Sequence, residues 1–301
     1  MRATCSAPKR GDLYRSRAAT GGTTGGVIIS IDGQIVQPDQ ARISIFDRGF
    51  LYGDGLFETF RTWDGIAVDA PEHLARLRAS ASALDLRVGP IDLAAAAIAA
   101  GGEGDYRIKV IVTRGAGPIG VPFGTLGPGH TIVIVEPLGE LPETVTAAIV
   151  AHPVAPRAHP HKTLAYLDSL IAKELARAAG AEEAIRLDVH GDVCEGSTTN
   201  IFIVENGRVI TPARGTGALP GVTRAQVIAL GGVREERVSV DRLRSADEIF
   251  VTSAIRGVVG VERLDDERRS VGPVTRRVKA AHRDEMQRRV KQIVAGQGDP
   301  R

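Results

Sequence analysis

Residues 182–212 read "EEAIRLDVHGDVCEGSTTNIFIVENGRVITP". Runs rich in β-branched and apolar residues are separated here by two turn signals, the "HGD" of residues 190–192 and the "NG" of residues 206–207. Short turns of this kind join neighbouring antiparallel strands. The segment therefore predicts antiparallel β-structure in the C-terminal part of the chain.

The segments on either side of this stretch complete one structural unit. Upstream, "ETVTAAIVAHPV" (143–154) predicts a strand, and a helix from about Tyr166 to Ala179 follows, closed by Gly180. Downstream, "LPGVTRAQVIALGG" (219–232) predicts a turn that enters a helix, and "DEIFVTSAIRGVVGVERL" (247–264) predicts a further strand and loop. Strands and helices are therefore expected to alternate irregularly in this unit.

The N-terminal part predicts a smaller α/β unit. "VIISIDGQIV" (27–36) is typical of a β-hairpin, and "DAPEHLARLRASASALDL" (69–86) places Leu74, Leu77, Ala81 and Leu84 on one helical face. A second helix is expected to end at the glycines of "AAAAIAAGG" (94–102), and "YRIKVIVTRG" and "HTIVIVEPL" predict strands.

Domain boundaries follow from these patterns. We expect a disordered N-terminal tail over residues 1–26 and a small α/β domain over 27–137. A connection with the first strand of the next domain spans 138–150, a larger domain spans 151–290 and a C-terminal tail spans 291–301. A length of 301 residues is typical of two packed domains.

Composition limits the classes of function. The 38 basic and 36 acidic residues nearly cancel, so neither nucleic acid nor an anionic membrane is expected as the main partner. No apolar run reaches the roughly 18 residues of a membrane span. The two cysteines, Cys5 and Cys194, form no disulfide framework, so a cytoplasmic location is the simplest expectation.

Lys162 is the first candidate for chemistry. Only six of the 38 basic residues are lysines. A lysine amine can lose its proton and attack a carbonyl, whereas arginine stays protonated. On composition alone, however, an ordinary surface lysine remains the simpler interpretation.

Three further residue patterns accompany this lysine. In "PGVTRAQVI", Thr223 is predicted to cap a helix with Gln226 completing a capping box, and Gly221 is predicted to let the backbone approach a ligand. Glu195 is a lone carboxylate among small and apolar residues, either buried with a partner or partly exposed at a bulge. Arg76 lies on the first helix, either solvated or available to a phosphate.

An amine, a carboxylate, an arginine and a helix start are together what pyridoxal phosphate requires. The chain resembles the class IV (fold-type IV) pyridoxal phosphate-dependent aminotransferases, which include branched-chain aminotransferases, D-amino acid transaminases and aminodeoxychorismate lyases. The resemblance covers roughly residues 27–280. It rests on six segments in family order: "DRGFLYGDGLFETFR", "EHLARL", "HKTLAYLDSL", "LDVHGDVCEGSTTNIF", "LPGVTR" and "DEIFVTSAIRGV".

The resemblance implies roles for individual residues. Lys162 matches the lysine that forms a Schiff base with the cofactor, and Glu195 matches the partner of the pyridine nitrogen. The phosphate ligands implied are Arg76, Val222 and Thr223. Ser253 and Ala254 match a loop that adds phosphate or substrate contacts, and Tyr166 is similar to a tyrosine near the ring hydroxyl.

The resemblance also implies an α+β fold with a small N-terminal and a larger C-terminal domain, and a homodimer. Two reactions remain open. An aminotransferase would move an amino group between an amino acid and a 2-oxo acid, whereas 4-amino-4-deoxychorismate lyase would release pyruvate to give 4-aminobenzoate. A cofactor-binding protein without turnover is a third hypothesis, which the presence of both Lys162 and Glu195 disfavours.

The markers of the substrate pocket are mixed. Phe57 stands where D-amino acid transaminases have a tyrosine. Thr59 and Lys109 resemble the residues found in the corresponding motifs of aminodeoxychorismate lyases. Lys109 is expected either to face a substrate carboxylate or to serve as a charge at a strand edge. Arg256 and Arg186 are expected either to bind a carboxylate or to face solvent.

A metal site is not expected. The candidate ligands are His152, His159 and His161, but their spacing is irregular and no nearby carboxylate completes a set.

Overall fold

The structure is a computed structural model that describes residues 26–93, 104–120, 128–154 and 161–296. The chain forms two compact units. One contains the residues up to Gly139 together with those from Met286 onward, and the other contains Glu140–Glu285. The predicted N-terminal tail, apart from Gly26, and the helix expected over 94–102 lie outside the described residues.

The first unit is built on an antiparallel sheet of five strands among its described residues, in the order β2-β1-β5-β4-β3. The strands are β1 (Ile28–Ile31), β2 (Gln34–Val36), β3 (Gly55–Arg61), β4 (Tyr106–Thr113) and β5 (Thr131–Pro137). Asp32 and Gly33 both have positive φ, which a tight turn between twisted strands requires. The predicted hairpin over 27–36 is confirmed.

Two helices accompany this sheet, α1 (Arg48–Tyr52) and α2 (Ala70–Ala83). The predicted face of α2 is confirmed for Leu74, Leu77 and Ala81, which are buried, whereas Leu84 ends the helix and is half-buried. The helix packs against β3, where Leu56 and Phe60 are buried. The alternate residues of β3 therefore line the core under α2.

The second unit contains a mixed sheet of nine strands within the described part of the chain. Its strands are β6 (Thr144–Ile149), β7 (Glu183–Leu187), β8 (Val193–Gly196), β9 (Asn200–Glu205), β10 (Arg208–Pro212), β11 (Val233–Glu236), β12 (Glu248–Ser253), β13 (Gly257–Leu264) and β14 (Glu267–Arg268). Strands follow the order β11-β10-β9-β12-β13-β6-β7-β8, and β14 pairs with β13.

The antiparallel pairing predicted for residues 182–212 is confirmed at both turns. β7 pairs with β8 across the "HGD" turn, and β9 pairs with β10 across Asn206-Gly207. β8 and β9 are not paired neighbours, because β9 pairs with β12 on its other side. The segment 247–264 forms two strands, β12 and β13, rather than one strand and a loop.

The helices of the second unit cover both faces of its sheet. They are α3 (Leu167–Ala178), α4 (Val222–Ala229), α5 (Val240–Ser245) and α6 (Pro273–Gly296), of which α6 continues into the first unit. Gly180, with φ +71°, follows α3 as predicted. Residues 291–296 continue α6, although the sequence places them in a tail.

The alternation of strand residues divides the second core in two. Ile201, Ile203 and Ile249 belong to one buried cluster. On the opposite face Phe202 stacks on Phe250 at 4.7 Å between ring centroids, and Val227 of α4 packs against them. The face that carries the two phenylalanines is therefore the one that α4 covers. No helix among the described residues is long and apolar enough to cross a membrane.

Candidate active site

Lys162 lies in the loop before α3 and is half-buried. Its Nζ lies 5.5 Å from the centroid of the Tyr166 ring, and Tyr166 is the residue immediately before the helix. A cation at this distance from an aromatic face is attracted by the ring. The two residues predicted to approach the cofactor on this side are therefore neighbours in space.

Glu195 is buried, with 6% of its surface exposed, on β8. Its Oε2 accepts a hydrogen bond from the backbone N–H of Leu219 at 2.7 Å. Of the two alternatives for this residue, the structure selects the buried carboxylate with a partner. A register shift does occur in the β7–β8 pair, but it does not expose the side chain.

The turn that enters α4 is held next to this carboxylate. Leu219 donates its N–H to Glu195, and its carbonyl accepts a hydrogen bond from Nδ2 of Asn200 at 2.9 Å. The backbone N–H and the backbone carbonyl of Leu219 are thus both held by side chains of the sheet. Glu195 and the start of α4 are brought together by this shared residue.

The predicted helix cap is wrong in its details. Gly221, in an extended conformation, is the N-cap residue, and α4 begins at Val222, so Thr223 is the second helical residue and caps nothing. Gln226 does not complete a capping box, and its Oε1 lies 3.0 Å from Nε2 of His282. A Cβ at position 221 would collide with Oδ1 of Asn200, so glycine is required by packing against this side chain.

Because no side chain caps α4, its first amides keep their donors directed out of the helix. The first helical residues are Val222 and Thr223, the two residues whose role as phosphate ligands the family resemblance implies. A helix N-terminus of this kind attracts anions through its N–H groups and its dipole.

Thr252 is a further candidate site residue, which the sequence patterns did not reveal. It pairs with Asn200 across β12 and β9, so both side chains project from the same face, the one that α4 covers. Thr252 is 2% exposed, and its Oγ1 has no hydrogen-bond partner among the residues that the structure describes. A threonine inside a β-branched run looks like any other strand residue, so only the lack of a partner in the fold reveals it.

Ser253, Ala254 and Arg256 belong to the hairpin between β12 and β13. Ser253 pairs with Gly257, and the Oγ of Ser253 accepts the backbone N–H of Arg256 at 3.2 Å. The predicted loop residues thus follow Thr252 directly in a short, closed turn.

Glu183 is a second residue that the sequence analysis missed. It is fully buried, and its carboxylate accepts hydrogen bonds from the backbone N–H and hydroxyl groups of Ser197 and Thr198, at 2.5–3.2 Å. These two residues follow Glu195 almost directly. A buried acid that binds four donors therefore fixes the loop after the candidate pyridine partner.

Arg186 does not serve either of its expected roles. It is 1% exposed, and its guanidinium donates to the backbone carbonyls of His152 and Pro153 at 3.2 and 3.1 Å. Arg186 is the cross-strand partner of Glu195 in the β7–β8 pair, so the two side chains share one face of the sheet, and its guanidinium anchors the chain segment after β6. Neither a solvent-facing side chain nor a substrate ligand is consistent with these bonds.

In the first unit, Arg76 is not a solvated helix residue. Its Nε and Nη2 donate to the two oxygens of Glu58 at 2.7 Å each, and Nδ1 of His73 lies 2.7 Å from Glu58 Oε2. Glu58 is 1% exposed. Burial raises the pKa of Glu58, but the hydrogen bonds from His73 and Arg76 outweigh it, so the net pKa is lowered. The bidentate pair fixes the plane of the Arg76 guanidinium.

The three predicted pocket residues of the first unit share the sheet face opposite α2. Thr59 pairs with Lys109, and the Nζ of Lys109 lies 5.0 Å from the centroid of the Phe57 ring. β4 lies between β3 and β5, so Lys109 is not a strand-edge charge and that alternative is wrong.

No cluster of three or more histidine, cysteine, aspartate or glutamate side chains with the arrangement of a metal site occurs among the described residues.

Comparison with known proteins decides the family. Residues 55–264 match the model of the amino-transferase class IV family, which is more than half of the chain. The chain belongs to the class IV aminotransferases. Every site residue predicted from the sequence lies within the matched range.

Individual relatives agree with this family. A Methanocaldococcus jannaschii protein with a provisional name as a branched-chain-amino-acid aminotransferase is 34% identical over 274 residues, covering 85% of this chain and 95% of that protein. A D-alanine aminotransferase of Staphylococcus haemolyticus is 29% identical over 269 residues, covering 83% and 94%.

A solved structure is similar as well. The branched-chain aminotransferase from the thermophilic archaeon Thermoproteus uzoniensis, crystallised with norvaline, aligns with a TM-score of 0.79 at 27% identity, covering 90% of this chain and 98% of that one. The class IV aminotransferase is therefore an enzyme with the α+β fold expected from its sequence.

Proposed function

We propose that this class IV aminotransferase carries pyridoxal 5'-phosphate on Lys162 and transfers an amino group between an amino acid and a 2-oxo acid. The observation that carries the proposal is the junction at Leu219. There a buried carboxylate, Glu195, is joined through one peptide residue to the uncapped start of α4. Pyridoxal phosphate has a basic ring nitrogen, which suits a carboxylate, and a phosphate group, which suits a helix start. Both features must lie near each other to bind one cofactor molecule.

The donors present suit a phosphate. The amides of Val222 and Thr223 open α4 without a side-chain cap, and on the strand face that α4 covers Thr252 has a buried hydroxyl with no partner among the described residues. A phosphate oxygen would satisfy that hydroxyl, and the helix start would favour its charge. Arg76, held bidentately by Glu58, is the proposed guanidinium ligand.

When bound, pyridoxal phosphate supplies an aldehyde that captures amines and a ring that accepts electrons from a breaking bond. Glu195 acts on this chemistry through its charge, because a carboxylate beside the ring nitrogen favours the protonated nitrogen. The Leu219 N–H fixes the orientation of Glu195, and Glu183 fixes the loop that follows it.

Lys162 would hold the cofactor through Nζ. When it is not so bound, the same amine would be a base close to the substrate, able to accept the proton of the substrate α-carbon and to hold it at Nζ. Tyr166, whose ring lies beside Nζ, limits the positions that the amine reaches.

A homodimer is part of the proposal. Residues 43–52 of the first unit expose a concentration of large apolar side chains: Ile43, Ile45, Phe46, Phe50, Leu51 and Tyr52, between 36% and 68% exposed. Exposed apolar surface of this density is typical of an interface. We propose that a second copy of the chain covers it, and analytical ultracentrifugation tests the mass of the assembly. A cytoplasmic location is proposed on the cysteine usage alone.

The test of function is a single-turnover absorbance scan of the cofactor-loaded protein. L- and D-amino acids are added one at a time, and conversion of the band of bound pyridoxal phosphate to that of pyridoxamine phosphate is the expected result. It reports the handedness of the substrate in the same experiment. An unchanged band together with pyruvate release from aminodeoxychorismate would instead identify the lyase.

Lys162→Ala tests the attachment residue. We expect the variant to fold and to retain part of its cofactor affinity but to lose the adduct that borohydride reduces onto the wild-type chain. Lys291→Ala, which removes an exposed lysine from α6, is the matched control and should keep the adduct. An adduct at wild-type level in Lys162→Ala would remove the basis of the assignment.

A further inference from the structure

Arg256 lies in the short turn between β12 and β13, whose backbone is held by local hydrogen bonds. The loop Ala254–Arg256 joins β12 to β13, and its ends are closed by the Ser253 and Gly257 pair. The hydroxyl of Ser253 accepts the backbone N–H of Arg256 at 3.2 Å, and Gly257 adopts φ +66°, which glycine takes without strain. The backbone from which the guanidinium extends is therefore fixed by local bonds.

The guanidinium of Arg256 differs from the other buried or half-buried guanidinium groups of the second unit. Arg224 and Arg242 bind Glu235 and Glu205 respectively. Arg256 makes no hydrogen bond or ion pair through its guanidinium with any residue that the structure describes, although its Nη1 is inaccessible to solvent. Arg269 also has one buried nitrogen without a partner, but its other two donate to neighbouring groups.

A buried guanidinium N–H without an acceptor is unfavourable in the protein alone. Arginine stays charged at every accessible pH, so this group cannot avoid the cost by losing a proton. An anion with two coplanar oxygens satisfies it best. The second unit therefore holds a cationic donor that has no acceptor among the described residues.

We propose that Arg256 binds a carboxylate of the substrate and determines which acids the enzyme accepts. The proposal rests on the proposed aminotransferase function, in which both substrates, the amino acid and the 2-oxo acid, carry a carboxylate. The cofactor phosphate is assigned other donors of the second unit, the start of α4 and Thr252. The carboxylate bound is either the α-carboxylate common to all substrates or the side-chain carboxylate of an acidic one.

Two achiral 2-oxo acids distinguish binding of the α-carboxylate from binding of the side-chain carboxylate. Pyruvate has only the carboxylate next to the oxo group, whereas 2-oxoglutarate has a second one. The pyridoxamine phosphate-loaded wild type and Arg256→Gln are mixed with each acid, and the half-saturating concentration is measured in single turnover. Loss of a hydrogen bond to a charged group raises that concentration by roughly 10- to 100-fold.

The half-saturating concentrations of the two acids show which carboxylate Arg256 binds. An increase for both acids assigns Arg256 to the α-carboxylate, and an increase for 2-oxoglutarate alone assigns it to the side-chain carboxylate. Arg268→Gln, which removes an exposed guanidinium from β14, is the matched control and should change neither value. Equal values for Arg256→Gln and Arg268→Gln with both acids would overturn the proposal.

A binding measurement separates this inference from the proposed reaction. Calorimetric titration of the cofactor-loaded protein with butanoate and glutarate, which cannot react, should show the same loss in Arg256→Gln. Arg256→Lys, which keeps the charge but not the fork geometry, should lose less and provides a second variant if the first does not fold. Weaker binding of pyridoxal phosphate with unchanged carboxylate binding would assign Arg256 to the phosphate and also overturn the proposal. Inactive wild type with Arg256-dependent carboxylate binding would contradict only the proposed function.

Discussion

Substitution of Glu183 tests the inference that one buried acid supports the loop after Glu195. In Glu183→Ala, four donors of Ser197 and Thr198 lose their acceptor. The two hydroxyls can turn toward other acceptors, but the two backbone N–H groups cannot. At about 1–3 kcal/mol for each buried donor left without a partner, the expected destabilisation is about 2–6 kcal/mol.

Glu183→Gln should be far milder. Oε1 of Glu183 accepts both backbone N–H groups, and a glutamine oxygen can do the same. The hydroxyl of Thr198 that donates to Oε2 can accept from the new amide group instead. We expect a loss of about 1 kcal/mol or less. The carboxylate charge is therefore less important here than the shape and acceptor capacity of the side chain.

Equilibrium urea unfolding of the cofactor-loaded protein measures these differences. Glu182→Ala is the matched control, because Glu182 is the preceding residue and its carboxylate accepts from the backbone N–H and the hydroxyl of Thr146 in solvent-exposed hydrogen bonds. We expect the order of stability to be wild type, then Glu182→Ala and Glu183→Gln together, then Glu183→Ala. Because the loop directly follows Glu195, the kcat of folded Glu183→Ala should fall more than about tenfold. Equal stability of Glu183→Ala and Glu182→Ala would refute the reasoning.

Two other substitutions test the Glu58 ion pair and the buried Thr252 hydroxyl. The pKa of Glu58 is lowered in the folded state, so its ion pair contributes stability above the ordinary carboxyl pKa, and this contribution is lost as the pH falls below about 4.5. Glu58→Gln should therefore show a shallower loss of melting temperature from pH 6 to pH 3.5 than wild type, and parallel curves would contradict the assignment. Thr252→Val removes a buried hydroxyl without a partner, so the cofactor-free protein should gain about 1 kcal/mol in stability while its affinity for pyridoxal phosphate falls about tenfold. Thermal unfolding and cofactor titration measure the two effects, and unchanged affinity would exclude Thr252 from the phosphate site.

Much of the candidate site could be predicted because the residues that carry chemistry stand in short local patterns. Lys162, Glu195 and the turn into α4 occur in segments whose order is specific to the family, and the family match covers them. The hairpin over 27–36 and the apolar face of α2 follow from the periods of side-chain direction along strands and helices.

Errors arose where a pattern allowed two local solutions. "PGVTRAQ" is compatible with a threonine N-cap. In the structure, Gly221 packs against Asn200 and takes the N-cap position, and because glycine has no side chain the first amides of α4 receive no side-chain cap. Lys109 looks like a charge at a strand edge until strand order places β4 inside the sheet. Cap choice and strand order depend on contacts between segments distant in sequence.

The sequence by itself predicted most of the elements and the family, and it named the candidate reactive groups, because periodicity, turn chemistry and motif order are local properties of the chain. Only the tertiary structure decided which polar groups have partners. Glu183 accepts from four donors, Arg186 donates to two backbone carbonyls, and Thr252 and Arg256 each have a buried donor without an acceptor in the described part of the chain. The physical reason is that hydrogen-bond satisfaction is settled by long-range packing, which excludes water from some groups and brings others together.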